Sequence, residues 1–129
     1  MTDDHHICLC GPSALEAYRA HMRLAPDLLD RPRTGKLARC GTPAPQMLED
    51  TMERIGVTGK PYHLLIERNA PHTARIDVRR HQRTKRLPRR AIIKLSDDVH
   101  IVSPEMMFID LAGSGEFHFT ELVAIGYEI

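Results

Sequence analysis

Four short apolar runs in the second half of the chain constrain its fold more than any other feature. They are YHLLIER, ARIDVRR, AIIKLS and VHIVS, which follow one another between residues 62 and 103. Each has the length of a strand, and in ARIDVRR the apolar Ile76 and Val78 alternate with charged residues, as in a half-exposed antiparallel strand. An Asp97-Asp98 turn separates the last two runs. We therefore predict a small antiparallel sheet.

A strand and a helix are expected before this sheet. HHICLC at residues 5–10 has the composition of a short strand, and Gly11-Pro12 ends it. A helix is predicted over residues 13–24, where Ser13 and Glu16 have the spacing of a capping box. In such a box the serine hydroxyl accepts from the first-turn backbone, and the glutamate reaches back to the cap amide.

The middle of the chain favours a loop followed by a helix. Residues 25–46 contain four Pro and two Gly, which prevent any long regular element, although one helical turn over 27–30 is compatible with the sequence. Residues 46–55, QMLEDTMERI, have apolar residues at helical spacing and end at Gly56.

Two helices are expected after the sheet. Ser103 and Pro104 have the residue types of an N-cap and a first helical position, and MMFIDLA continues that helix. A last helix is predicted near residues 119–128. The chain is therefore expected to be a single α+β domain over residues 1–129, with a strand–helix unit before a small antiparallel sheet and two helices after it.

Composition narrows the class of protein. No apolar run approaches the length that crosses a membrane, and the N-terminus begins with acidic residues instead of a signal sequence, so we expect a cytoplasmic protein. The odd number of cysteines, three, favours free buried thiols over a disulfide framework. The abrupt end at Ile129, without a polar tail, suggests that the natural polypeptide is longer.

Charge is distributed very unevenly along the chain. Residues 75–90 contain eight Lys and Arg against the single acid Asp77, although the formal net charge of the whole chain is only +1. We call residues 79–90 the basic segment. Its cations are Arg79, Arg80, Arg83, Lys85, Arg86, Arg89 and Arg90. They could neutralise phosphates, and nucleic acid, DNA before RNA, is the partner we expect for these seven residues.

Two other interpretations of the basic segment remain open. The cations could dock an acidic protein partner, or they could only discourage edge pairing of a strand. An aromatic content of 5%, with no Trp, leaves few side chains for stacking on bases, so any grip on nucleic acid is expected to be electrostatic.

Catalytic and metal chemistry find little support in the sequence. His6, Cys8 and Cys10 would share one face of a strand, beside His5, but a zinc site would need Cys40 or a distant histidine as a further ligand. No acidic cluster has the spacing of a metal-dependent nuclease, and the acidic segment TELVAIGYEI is a poor recognition helix. We expect a non-enzymatic module without cofactor or metal.

Two long segments resemble a known family. KPYHLLIERNAPHTARIDVRRHQ and LPRRAIIKLSDDVHIVSPEMMFIDLAGSG resemble the C-terminal domain of AbiE-type antitoxins and related actinobacterial proteins. ICLCGPSALEAYR is similar to the N-terminal segment of the actinobacterial members. The resemblance covers about two thirds of the chain, and its motifs are short and mostly structural.

The resemblance implies DNA-associated regulation or toxin neutralisation. It also favours the seven cations of the basic segment as the interacting surface. Many actinobacterial members carry a very-short-patch-repair-like endonuclease domain after this region, so the chain is also compatible with the targeting region of a longer nuclease. Departing from the family, the sequence has no winged helix-turn-helix before the shared region, which puts autoregulatory operator binding in doubt.

Overall fold

Three α-helices and six strands make up the described part of the fold, which confirms the predicted α+β class. The computed structural model describes residues 6–21, 26–35, 37, 40–66, 75–82, 87–96, 98–114, 118, 120–121 and 123–124. In chain order the elements are β1 (Ile7–Leu9), α1 (Gly11–His21), a 3-10 helix (Pro26–Asp30), β2 (Arg33–Thr34), α2 (Pro45–Ile55), β3 (Tyr62–Leu65), β4 (Val78–His81), β5 (Ile92–Lys94), β6 (Val99–Val102) and α3 (Pro104–Ser114).

The strands form one mixed sheet in the order β2-β5-β6-β1-β3-β4. β1 pairs with β6 in parallel and β3 pairs with β4 in parallel, whereas β1–β3, β2–β5 and β5–β6 are antiparallel. The prediction of an antiparallel sheet was therefore wrong at two of five pairs. Alternating apolar and polar residues indicate a strand, but the alternation is the same whichever way the neighbouring strand runs. The prediction was also wrong at Ile76, which lies in the turn before β4 and is 99% exposed.

β1 lies in the interior of the sheet and is buried on both faces. Ile7, Cys8 and Leu9 are 1%, 0% and 0% exposed. On one face Ile7 and Leu9 lie beside Val99 and Ile101, their register partners in β6. Because neither face meets solvent, the strand is continuously apolar and does not alternate.

The middle of the chain follows its prediction except at β2, a two-residue edge strand at Arg33–Thr34 inside the predicted loop of residues 25–46. The 3-10 helix at Pro26–Asp30 is the expected single turn, and α2 begins at Pro45, one residue before the predicted start. Gly56 ends α2 with φ of 83°, and its N–H donates to the backbone carbonyl of Glu53. This left-handed conformation is one that glycine adopts without steric cost.

α3 begins as its sequence predicts. The Ser103 hydroxyl accepts a hydrogen bond of 3.2 Å from the backbone N–H of Met106, as an N-cap does. Of the predicted last helix, residues 120–121 and 123–124 are helical, and the rest of 119–128 lies outside the described residues. Among the described helices, none is both long enough and apolar enough to span a membrane.

Candidate nucleic-acid interface

The described cations of the basic segment lie at two separate places on the sheet. Arg79 is exposed on β4, and Arg80, the next residue of that strand, is half-buried and points to the opposite face. Arg89 and Arg90 are exposed in the turn before β5. Arg83, Lys85 and Arg86 lie outside the described residues. Sequence proximity therefore does not make Arg79, Arg80 and Arg89–Arg90 one compact patch.

The distance between these places follows from the sheet order. β4 is an edge strand, and β6, β1 and β3 separate it from β5. At about 4.8 Å for each interstrand step, the two strands are about 19 Å apart. The pairing directions make β4 and β5 run the same way, so residues 82–91 leave the end of β4 and return to the start of β5. The connector is thus a crossover between distant strands.

The end of this crossover is held against the sheet. Leu87 packs on the hydrophobic core. The Pro88 carbonyl lies so close to Gly35, next to β2, that a Cβ at position 35 would be 2.6 Å from its oxygen. Arg90 also interacts with Glu105 of α3. A backbone hydrogen bond is the main cause that lowers the pKa of Glu105; burial opposes it, and Arg33 and then Arg90 lower it further.

Arg75, just before the basic segment, is used internally. Its guanidinium donates two hydrogen bonds, of 3.0 and 2.7 Å, to the carboxylate of Asp77, and a third to the Pro43 carbonyl. The Arg75 side chain is only 14% exposed. This arginine therefore stabilises the start of β4 and adds little to the charge available for a partner.

A pocket that the sequence did not predict opens beside Arg79. Its volume is about 560 Å³, and His63, Arg79, His81 and Asp110 are among its lining residues. His63 Nδ1 lies 3.0 Å from His81 Nε2, and the two imidazole rings are stacked with their centroids 5.2 Å apart. The parallel pairing of β3 with β4 creates this contact by placing both rings on one face. Only knowledge of that strand pairing would have revealed it.

The start of α1 forms one side of this pocket, in a way that overturns the predicted capping box. α1 begins at Gly11, two residues earlier than predicted, so Ser13 lies inside the helix. The Ser13 hydroxyl accepts a hydrogen bond of 2.7 Å from the backbone N–H of His63. The first turn of α1 is thereby attached to β3 at the pocket.

Glu16 also serves a different purpose from the predicted one. Its carboxylate accepts hydrogen bonds from the Thr58 N–H at 2.7 Å, the Thr58 hydroxyl at 2.8 Å and the Gly59 N–H at 3.0 Å. Burial raises the pKa of Glu16, but these donors together lower it further than burial raises it. The carboxylate thus holds the turn before β3 against α1.

A second cluster of titratable groups surrounds Cys40. The strand register places Cys8 beside His100, and a bridge joins His6 to Cys40. A hydrogen bond with the Cys8 thiol is the main cause that lowers the pKa of Cys40; burial opposes it, and His100 and His6 lower it further. Burial is the main cause that raises the pKa of Cys8, and the hydrogen bond with Cys40 raises that pKa further.

The cysteines are free and buried, as predicted. The alternative of a metal cluster near the N-terminus combined His6, Cys8 and Cys10 with Cys40 or a distant histidine as the further ligand, and the structure places Cys40 next to His6 and His100 next to Cys8. In the part of the chain that the structure describes, however, no three His, Cys, Asp or Glu side chains are arranged to hold a metal ion. His5 lies outside that part.

Comparisons of the chain with protein families, with curated proteins and with solved structures found no match.

Proposed function

We propose that this chain is a non-enzymatic, antitoxin-like or regulator-like module that binds nucleic acid through phosphate contacts of the basic segment. The observation that carries the proposal is the concentration of seven cations in the end of β4 and in the connector to β5, a strand about 19 Å away. Along the axis of a DNA duplex the phosphates of one strand recur about every 3.4 Å, so about five or six of them fall within this distance of the axis.

The charge of the remaining chain supports the same interpretation. Outside residues 75–90 there are ten basic and sixteen acidic residues, so the protein is strongly dipolar. A polyanion is attracted to the basic segment and repelled by the remainder, which orients its approach. Arg79, Arg89 and Arg90 are exposed, as phosphate contacts require.

DNA is preferred to RNA as the partner because of the resemblance to AbiE-type antitoxins. None of the described helices has the basic surface of a helix that reads a DNA groove. α1 and α2 carry both acidic and basic residues, and α3 has no Lys or Arg. Binding through the backbone alone carries no sequence information, so weak sequence preference is expected.

The test is the binding of a fluorescent duplex DNA to the whole chain at increasing salt concentrations, with polyglutamate as a competitor. The proposal expects affinity that falls steeply with salt and DNA that outcompetes polyglutamate of equal charge. Absence of DNA binding at low salt would contradict it. Polyglutamate binding without DNA binding would instead identify the basic segment as a docking site for an acidic protein.

A further inference from the structure

The pocket beside Arg79 has the size of a small-ligand site. Its volume of about 560 Å³ lies within the range of about 300–1,000 Å³ that is usual for such sites. Leu65, Leu111 and Pro12 contribute apolar wall. Ile109 of α3 stands at the same pocket and is 64% exposed, an unusually open position for a large apolar side chain. These walls suit a flat, largely apolar ring.

The stacked imidazoles provide a platform for such a ring. His63 and His81 lie with an interplanar angle of 22°, so their planes are nearly aligned. Histidine is among the side chains on which unpaired bases stack in nucleic-acid complexes. The chain therefore has a stacking surface in spite of its low content of Phe, Tyr and Trp.

The charge of Asp110 determines which end of a nucleotide can enter the pocket. The carboxylate of Asp110 in α3 lines only this pocket among the two cavities. Arg79 of β4 lines both the pocket and the neighbouring cavity of about 290 Å³. A phosphate beside Asp110 would be repelled, while an exocyclic amino group of a base can donate a hydrogen bond to a carboxylate. A nucleotide would thus enter base first, with its phosphate toward Arg79.

We propose that this pocket holds one unpaired nucleotide of a bound nucleic-acid strand, with the base against His63 and His81, an exocyclic amino group donating to Asp110, and the phosphate at Arg79. The proposal rests on the proposed function, and it adds the position and the kind of nucleotide. The pocket adjoins the start of the crossover, because Arg79, His81 and Gln82 line it. The next phosphates of the bound strand would therefore lie along the basic segment.

The chemistry at Asp110 predicts a preference among bases. Cytosine, adenine and guanine carry an exocyclic amino group and thymine does not. Stacking and the amino contact together are expected to make a duplex with one unpaired terminal dC bind about tenfold more tightly than the same blunt duplex. A duplex with one unpaired dT is expected to gain less.

The experiment measures the affinity of the whole chain for blunt, dC-overhang and dT-overhang duplexes. Asp110→Asn is expected to reduce the preference for dC over dT, because the amide accepts less strongly from the cytosine amino group and can also donate to thymine O4, and His81→Gln is expected to reduce the gain of either overhang over the blunt duplex. Glu53→Gln makes the same carboxylate-to-amide change at an exposed position of α2 and is expected to change none of the three affinities. Circular dichroism of each variant checks that it is folded.

Three outcomes separate the possibilities. Equal, salt-sensitive binding of all three duplexes overturns the nucleotide pocket and leaves the proposed function standing. Failure of every duplex to bind overturns the proposed function itself. Binding of free dCMP, reduced by Asp110→Asn, without any gain from the dC overhang would show a site for free nucleotides, which also overturns the proposal of a strand-borne nucleotide.

Discussion

Ser13 and His63 are joined by a hydrogen bond of 2.7 Å, in which the backbone N–H of His63 donates to the serine hydroxyl oxygen. The bond crosses from the first turn of α1 to β3, and it holds the helix start at the pocket that contains His63. A side chain whose spacing suggested a local cap therefore serves a tertiary contact.

Replacing Ser13 with Ala should lower the free energy of unfolding by about 1–3 kcal/mol. Ser13 is only 2% exposed, so its loss leaves the backbone N–H of His63 without a hydrogen-bond acceptor at a buried position. Urea denaturation measures this change. Ser103→Ala is a matched control, since it also removes a buried hydroxyl, one that caps α3, and should cost about 1 kcal/mol. Only Ser13→Ala should shift the imidazole resonances of His63, and a Ser13→Ala protein with unchanged stability and His63 resonances would refute this role.

Replacing Gly35 with Ala should destabilise the protein where the end of the crossover, at Pro88 and Arg89, packs against position 35. The new Cβ would lie 2.6 Å from the Pro88 carbonyl oxygen and 3.2 Å from the Arg89 Cα, so backbone must move, at a cost of about 1–3 kcal/mol. Gly41→Ala is the control because a Cβ there meets no atom within 4 Å. We expect the control to change the unfolding free energy by less than about 0.5 kcal/mol. Equal effects of both changes would show that Pro88 does not lie against position 35.

Cys40 should ionise at lower pH than an ordinary thiol. Its pKa is lowered chiefly by the hydrogen bond with Cys8, and thiolate absorbance at 240 nm should therefore rise below the usual thiol range. Between the folded and unfolded pKa values the unfolded chain binds more protons, so the Cys40 thiolate contributes stability that increases with pH in this window and is lost as pH falls through the folded value.

Two cysteine variants test the assignment. Cys40→Ser should abolish the early absorbance step. Cys10→Ser should leave it intact, because burial raises the pKa of Cys10 and its thiol stays protonated in that range. An early step that persists without Cys40, or that is absent from the wild-type protein, would contradict the assignment.

Contacts between residues close in sequence could be predicted, and contacts that depend on strand order could not. The Ser103 cap of α3 was predictable because hydroxyl and amide are three residues apart. The hairpin of β5 and β6 was also predicted, since a short turn joins its strands. The parallel pairing of β3 with β4 was not, because the alternation around Val78 carries no information about the direction of a neighbour.

The candidate site shows the same division. The cations of the basic segment were evident from composition, but their separation across the sheet depends on three intervening strands. The contact between His63 and His81 joins residues 18 positions apart through strand register, and no local motif marks either histidine. Ser13 and Glu16 have the spacing of a capping box, yet the helix begins at Gly11 and both side chains contact other elements.

The central claim is that the basic segment binds nucleic-acid phosphates, and the salt dependence of DNA affinity tests it most directly. The affinity for one duplex is measured over a range of salt concentrations for three proteins. They are the wild type, a first triple variant, Arg83→Gln/Lys85→Gln/Arg86→Gln, and a second triple variant, Arg19→Gln/Arg54→Gln/Lys94→Gln. The second triple variant removes three exposed cations from outside the segment and so has the same net charge as the first. For each phosphate that a variant no longer neutralises, the slope of log affinity against log salt should fall by about 0.9. The account predicts a slope shallower by up to about 2.7 for the first variant and an unchanged slope for the second; equal slopes for all three proteins would contradict it.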